Sequence, residues 1–119
     1  ENKTYRQLLL YYIYQKMHSV LSKADFQRLL ENNPGHVVIK FGAEWCGPCK
    51  ALIPRLESIE SQYPDVAFVK VDVDENMDSA LDLGIRSVPT VIIYDGEKLI
   101  SRSQGASAES FYKDILNNL

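Results

Sequence analysis

Val37 to Gly42 reads VVIKFG, and after Ala43-Glu44 the chain continues Trp45-Cys46-Gly47-Pro48-Cys49-Lys50. A nearly continuous apolar run with β-branched residues is the signature of a central strand covered on both faces. Lys40 is the one residue that breaks the rule. Beyond the strand, Pro48 suits the first turn of a helix, where its missing N–H leaves nothing unpaired. Leu52, Leu56 and Ile59 then recur at helical spacing and predict a helix to Gln62 or Tyr63, kinked by Pro54. The two cysteines therefore stand where a buried strand gives way to a helix N-terminus.

Working downstream, Val66 to Val71 (VAFVKV) reads as the next buried strand, and a short helix from about Asn76 to Leu83 stops at Gly84. Strand, helix, strand, helix implies parallel pairing through right-handed crossovers. Thr90 to Tyr94 (TVIIY), then Asp95-Gly96, then Lys98 to Ser103 reads as a hairpin turning at the Asp-Gly pair. Ser107 opens a final helix with Phe111, Ile115 and Leu116 turned inward. Upstream, Ser22 with Asp25 caps a helix whose Phe26, Leu29 and Leu30 share a face, and Asn32-Asn33-Pro34-Gly35 ends it. Met17 to Leu21 reads as a further short strand. No repeat or linker divides the chain.

At 119 residues this is one domain, with an apolar fraction of 45% and a charged fraction of 24% that place it among globular chains. Sixteen acidic against thirteen basic residues leave a net charge of −3, so no positive field exists to hold nucleic acid or an anionic membrane surface. The longest apolar run, Leu8 to Tyr14, is seven residues, against roughly 20 for a transmembrane helix. No membrane span is expected. Thr4 with Gln7 has the form of a helix cap ahead of that run, which is apolar on every side and must be covered, by the domain itself, by a partner, by another copy or by a membrane surface. Asn2-Lys3-Thr4 has the form of a glycosylation acceptor, a tripeptide common by chance. The chain starts at Glu1 rather than at a methionine, which leaves room for a targeting peptide removed upstream. Cytoplasmic, mitochondrial and secretory compartments all stay open.

Two cysteines cannot staple a fold, and a bridge between Cys46 and Cys49 would close a very small loop, so the pair points to chemistry. A helix N-terminus offers unpaired N–H groups and the positive end of the dipole, both of which stabilise a thiolate. Cys46 is the natural nucleophile there. Cys49, one turn on, is within reach to attack a mixed disulfide at Cys46 and expel a reduced substrate. Gly47 permits the turn, while Pro48 restricts it and helps set the reduction potential. The competing readings are an inert buried pair and a zinc half-site. Zinc needs two further ligands, and the only histidines, His18 and His36, have no paired metal spacing. Ser87-Val88-Pro89-Thr90 stands just before a strand, where an X-Pro bond can be cis.

Together, AEWCGPCK (Ala43 to Lys50), Pro54, KVDVDEN (Lys70 to Asn76), GIRSVPT (Gly84 to Thr90), Tyr94-Asp95-Gly96 and Gly105 resemble the thioredoxin family. The resemblance covers about residues 16–119 and leaves 1–15 as an N-terminal extension. It implies an α/β fold: a central five-stranded mixed sheet flanked by four helices, with the cysteines starting the second. It further implies a protein-disulfide reductase in which Cys46 attacks, Cys49 resolves and Pro89 is a cis proline beside the disulfide. The Val88 backbone would pair with an extended substrate peptide, and Trp45 with Pro89 would shape a shallow apolar surface for it. No cofactor is implied beyond the Cys46-Cys49 couple, and no metal. The implied partners are disulfide-bearing proteins and a thioredoxin reductase or other thiol donor. Lys50 and Lys70 read as solvated charges or as groups that tune the thiolate.

Two departures stand out. Where the family usually carries a buried aspartate, six residues before the attacking cysteine, this chain has Lys40. Three readings compete: a buried cation that favours thiolate and raises the reduction potential, a neutral amine acting as base, or a stem that carries its ammonium out to water or to a carboxylate. Gly42 replaces a usual aromatic, and the space it leaves suits Lys40 or a side chain of the extension. A different function class is a thioredoxin-like binding module, a subunit of a larger assembly docked through residues 1–15.

Overall fold

A computed structural model describes residues 23–32 and 35–119. The expected strand at 17–21, the apolar run at 8–14, the caps at Thr4 and Ser22, His18, Asn33-Pro34 and the boundary after residue 15 lie outside the described residues, as do the side chains of Asp25 and Phe26. Helix α1 (Lys23–Asn32) leads to strand β1 (His36–Gly42), helix α2 (Gly47–Gln62), strand β2 (Ala67–Asp72) and helix α3 (Met77–Asp82). Strands β3 (Thr90–Asp95) and β4 (Lys98–Gln104) and helix α4 (Glu109–Asn117) complete the order. The described sheet has four strands in the order β2-β1-β3-β4. β1 runs parallel to β2 and antiparallel to β3, so the sheet is mixed and β1 is paired on both sides, as its apolar run predicts. The fifth strand of the expected sheet is the one at 17–21.

Side chains alternate across a strand, and here the alternation separates two cores. Val37, Ile39, Phe41, Val69, Val71 and Ile92 pack with Leu29 and Leu30 of α1 and Ala80 of α3. Val38, Val91 and Ile93 pack on the opposite face with Leu52, Leu56 and Ile59 of α2 and Tyr112 and Leu116 of α4. By this parity Lys40 and Gly42 lie on the face that α2 covers.

Three local expectations shift. The hairpin pairs Asp95 with Lys98, which puts Gly96-Glu97 at the two central positions. Gly96 has φ +61° and no described non-glycine residue has positive φ, so the glycine takes the first central position, the II′ requirement, rather than the second. α4 is capped by Ala108 without a side-chain hydrogen bond, one residue after the expected Ser107, whose carbonyl accepts from Arg55 Nη1 at 3.0 Å and whose N–H donates to the Tyr112 hydroxyl at 3.2 Å. Tyr112, at 1% exposure, takes the inward position expected of Phe111, which is 41% exposed. α2 runs unbroken through Pro54, which faces solvent.

Candidate active site

Cys46 is the N-cap of α2, with extended backbone at φ −91° and ψ 112°. Its Sγ accepts the Cys49 N–H at 3.2 Å, which satisfies one of the helix's orphan donors with a sulfur where other helices use serine or aspartate. No acidic residue occupies the first turn, so the positive end of the helix is not countered there. Cys46 and Cys49 are joined in a disulfide with Cα atoms 5.2 Å apart. Both are buried, in a small cluster with Ala43 against which Val73 and Val88 pack.

The residues singled out in the sequence fall around this pair. The Val88 carbonyl lies 3.7 Å from Cys46 Sγ, and the Val88–Pro89 peptide bond is cis. Pro89 is held in place by the Gly105 N–H, which donates to its carbonyl at 2.8 Å, and by Thr90 Oγ1, which donates to the Ser87 carbonyl at 2.7 Å. Gly105 has φ +85°, a conformation that favours glycine. Trp45 is 70% exposed on the lip beside Cys46. Pro48 and Lys50 are exposed on the first turn of α2. Gly47 has ordinary backbone, and a Cβ added there would meet nothing within 4 Å. The turn therefore does not require glycine at 47, contrary to the sequence expectation; what Gly47 leaves is unobstructed surface next to the sulfur.

Trp45 has an anchor that the sequence did not disclose. Its Nε1–H donates to Asp74 Oδ2 at 2.8 Å. Asp74 is in turn fixed by its own N–H, which donates to Asp72 Oδ1 at 2.8 Å, while Asn76 Nδ2 donates to the Asp72 carbonyl at 2.9 Å. The aspartates of the KVDVDEN stretch thus build the loop after β2. An Asx turn is readable in their spacing, but the bond to Trp45 spans 29 residues and leaves no local trace.

Lys40 is the only charged residue among the described residues that is buried, at 7% exposure. A Cβ added at Gly42 would sit 3.4 Å from Cys49 Sγ and 3.4 Å from Lys40 Cε. The lysine stem and the second sulfur therefore flank the same position, which a methyl at residue 42 would fill to van der Waals contact. This pairing of the two departures leaves the stem beside the disulfide, with Lys40, Gly42 and Cys49 lining a cleft of about 490 Å³. Burial holds the Lys40 amine below the ordinary lysine range, Lys70 on the neighbouring strand pushes the same way, and Glu57 of α2 opposes both. Lys70, paired in register with Lys40, is itself exposed. Among the described residues no group of three or more His, Cys, Asp or Glu is placed to hold a metal, and no helix is long and apolar enough to cross a membrane.

Comparison with known proteins agrees with this geometry. The chain is 39% identical over 98 residues to thioredoxin-2 of Saccharomyces cerevisiae, covering 82% of this chain and 94% of that one. It matches the structure of mitochondrial thioredoxin 3 from Saccharomyces cerevisiae, oxidised form, with a TM-score of 0.74 at 36% identity, covering 88% of this chain and 98% of that one. A chain solved in work on the thiol resolving mechanism of yeast mitochondrial 1-Cys peroxiredoxin via glutathione/thioredoxin systems matches at TM-score 0.73 and 38% identity, covering 83% of this chain and 93% of that one. The thioredoxin family model aligns with residues 17–117. That interval takes in every described strand and helix that positions the two cysteines, so the chain belongs to the thioredoxin family and its chemistry is thiol–disulfide exchange carried by its own cysteine pair.

Proposed function

We propose that the protein reduces disulfides in other proteins, with Cys46 as the attacking sulfur and Cys49 as the resolving one. The observation that carries this assignment is the hydrogen bond from the Cys49 N–H to Cys46 Sγ at the start of α2. A donor and a helix dipole aimed at Cys46 favour its thiolate, and the thiolate is the nucleophile. In the reduced protein the Cys46 thiolate attacks one sulfur of a substrate disulfide. A Cys46–substrate bond forms, the substrate S–S bond breaks, and the departing sulfur leaves as a thiolate that takes a proton from solvent. Cys49, deprotonated, then attacks Cys46 Sγ, re-forms the Cys46–Cys49 bond and releases the second substrate sulfur.

Among the described residues the Val88 N–H has no hydrogen-bond acceptor, which suits it to pair with a carbonyl of an extended substrate segment laid beside Cys46. Trp45, steadied by Asp74, and Pro89 would form the apolar walls of that track. A peroxiredoxin suits such a site as substrate, and a thioredoxin reductase or another thiol donor would return the couple to the dithiol. A cytoplasmic or organellar setting, where thiols are kept reduced, fits this role. In this reading the redox domain spans residues 16–119, and residues 1–15 are an extension that would carry a partner contact. Insulin reduction, followed by turbidity with a thiol donor present, tests the assignment. Cys46→Ser should abolish activity. Cys49→Ser should form a mixed disulfide with substrate that persists on a non-reducing gel; the opposite pattern would exchange the two roles.

A further inference from the structure

Lysines are almost never fully buried unless they are paired, because a charge taken out of water needs a counter-charge or acceptors. Lys40 is 7% exposed, yet among the described residues its amine donates no hydrogen bond and forms no ion pair. Its Cε stands 3.4 Å from where a Cβ on Gly42 would lie, and Gly42 is part of the wall of the cleft of about 490 Å³ beside Cys49. Lys50 of α2 and Lys70 of β2 line the same cleft, both exposed and, among the described residues, both without an ion pair or a side-chain hydrogen bond. Lysines from β1, α2 and β2 thus meet at one cavity. We propose that this cleft binds a small molecule through a carboxylate or phosphate group, held by the ammonium groups of Lys40, Lys50 and Lys70. The assignment does not depend on which cysteine attacks.

The acids of the cleft do not take this role. Glu44 is exposed, and Asp72 is tied to the loop after β2, its Oδ1 accepting the Asp74 N–H at 2.8 Å. Neither forms an ion pair with a lysine among the described residues, and the lining as a whole is net positive. Glu57 and Glu60 of α2 line a neighbouring groove with Lys40 and Lys70. Glu57 favours the Lys40 ammonium, but burial and Lys70 outweigh it and hold the amine below its ordinary range. A bound anion reverses that balance, since it compensates the buried charge and offsets the repulsion from Lys70, which is in register with Lys40 on β2. Size and lining set the class of ligand. A cleft of about 490 Å³ has the dimensions of a small-molecule site. Ala43, Ile53 and Val71 give it an apolar wall, which suits a short organic acid or phosphate ester with the charged group at the lysines.

The test is isothermal titration calorimetry of the oxidised chain with inorganic phosphate and with succinate, at an ionic strength held constant with sodium chloride so that screening does not change along the titration. Saturable binding to one site is expected for at least one of the two. Lys40→Met should weaken it roughly tenfold or more, and Lys70→Met about several-fold. Lys98→Met, which removes the same charge at the β3–β4 hairpin, should bind as the wild type does. No saturable binding of either anion by the wild type, or a Lys40→Met protein that binds as tightly as the wild type, overturns the site. A loss in Lys98→Met equal to that in Lys70→Met also overturns it, because the anions would then answer only to overall charge. If Lys40→Met does not fold, Lys70→Met, changed at an exposed position, makes the same comparison with Lys98→Met. A short acidic peptide, titrated as a third ligand, separates a free small molecule from the carboxylates of a docked protein. Binding of the peptide with no response to either free anion would overturn the small-molecule ligand.

Discussion

Lys40 has a consequence for stability. In the oxidised protein its amine lies below the ordinary value of 10.5, so the unfolded chain binds more protons than the folded one between the lowered value and 10.5. Stability therefore rises with pH across that window, and below it the fold carries the full penalty of burying the charge. Oxidised Lys40→Met should melt at a higher temperature than the wild type at pH 7, with the gap narrowing as pH climbs toward 10.5. A gap that stays constant from pH 7 to 10.5 would mean that the amine is solvated in the fold. The buried cation could not be placed from the sequence, because parity puts Lys40 on the same face as Val38 but does not say which helix covers that face. Trp45 shows the same limit: its exposure follows from its neighbours, its partner Asp74 from a loop 29 residues away.

α2 carries the site at its N-terminus and is held by two different means along its length. Leu52 and Ile59 are fully buried against the sheet and α4. Either residue changed to Ala should cost about 2–5 kcal/mol in urea unfolding. Arg55, on the same helix, donates through Nη1 to the Ala106 and Ser107 carbonyls at 3.1 and 3.0 Å, tying the helix to the segment before α4. Arg55→Met should cost about 1–3 kcal/mol, from two carbonyls left without a donor. An effect of only a few tenths in the same urea experiment would show that water replaces the guanidinium freely. The helix was legible because Pro48, Leu52, Leu56 and Ile59 state its start and its buried stripe. The inward turn of Tyr112 in place of Phe111 was not, since a one-residue rotation of α4 depends on where the Arg55-bound loop sets its start.

Across the whole molecule, the elements written most plainly in the sequence are those paired on both sides. β1, central among the described strands, matched its apolar run almost to the residue, as β3 did. β2 reads as a buried strand but alternates in burial, with Val69 and Val71 inside and Lys70 outside, because β1 is its one described neighbour. The cysteine pair and the Gly84 helix stop sit where local sequence rules put them, and the cis Val88–Pro89 bond where the family resemblance implied it. What joins them into a site is contact between distant loops, and no local rule contains it.

The lip of that site has an optical consequence. The chain has a single tryptophan, and it is the residue immediately before one half of the disulfide. A disulfide accepts an electron from an excited indole at close range, whereas a dithiol does so poorly. Emission excited at the indole band should therefore brighten as Cys46 and Cys49 are reduced and dim as a substrate reoxidises them, which a titration against dithiothreitol would check. Asp74 holds the indole through its Nε1–H, so Asp74→Ala should shrink the contrast. The protein thus reports its own redox state in light, without a label and on the timescale of turnover.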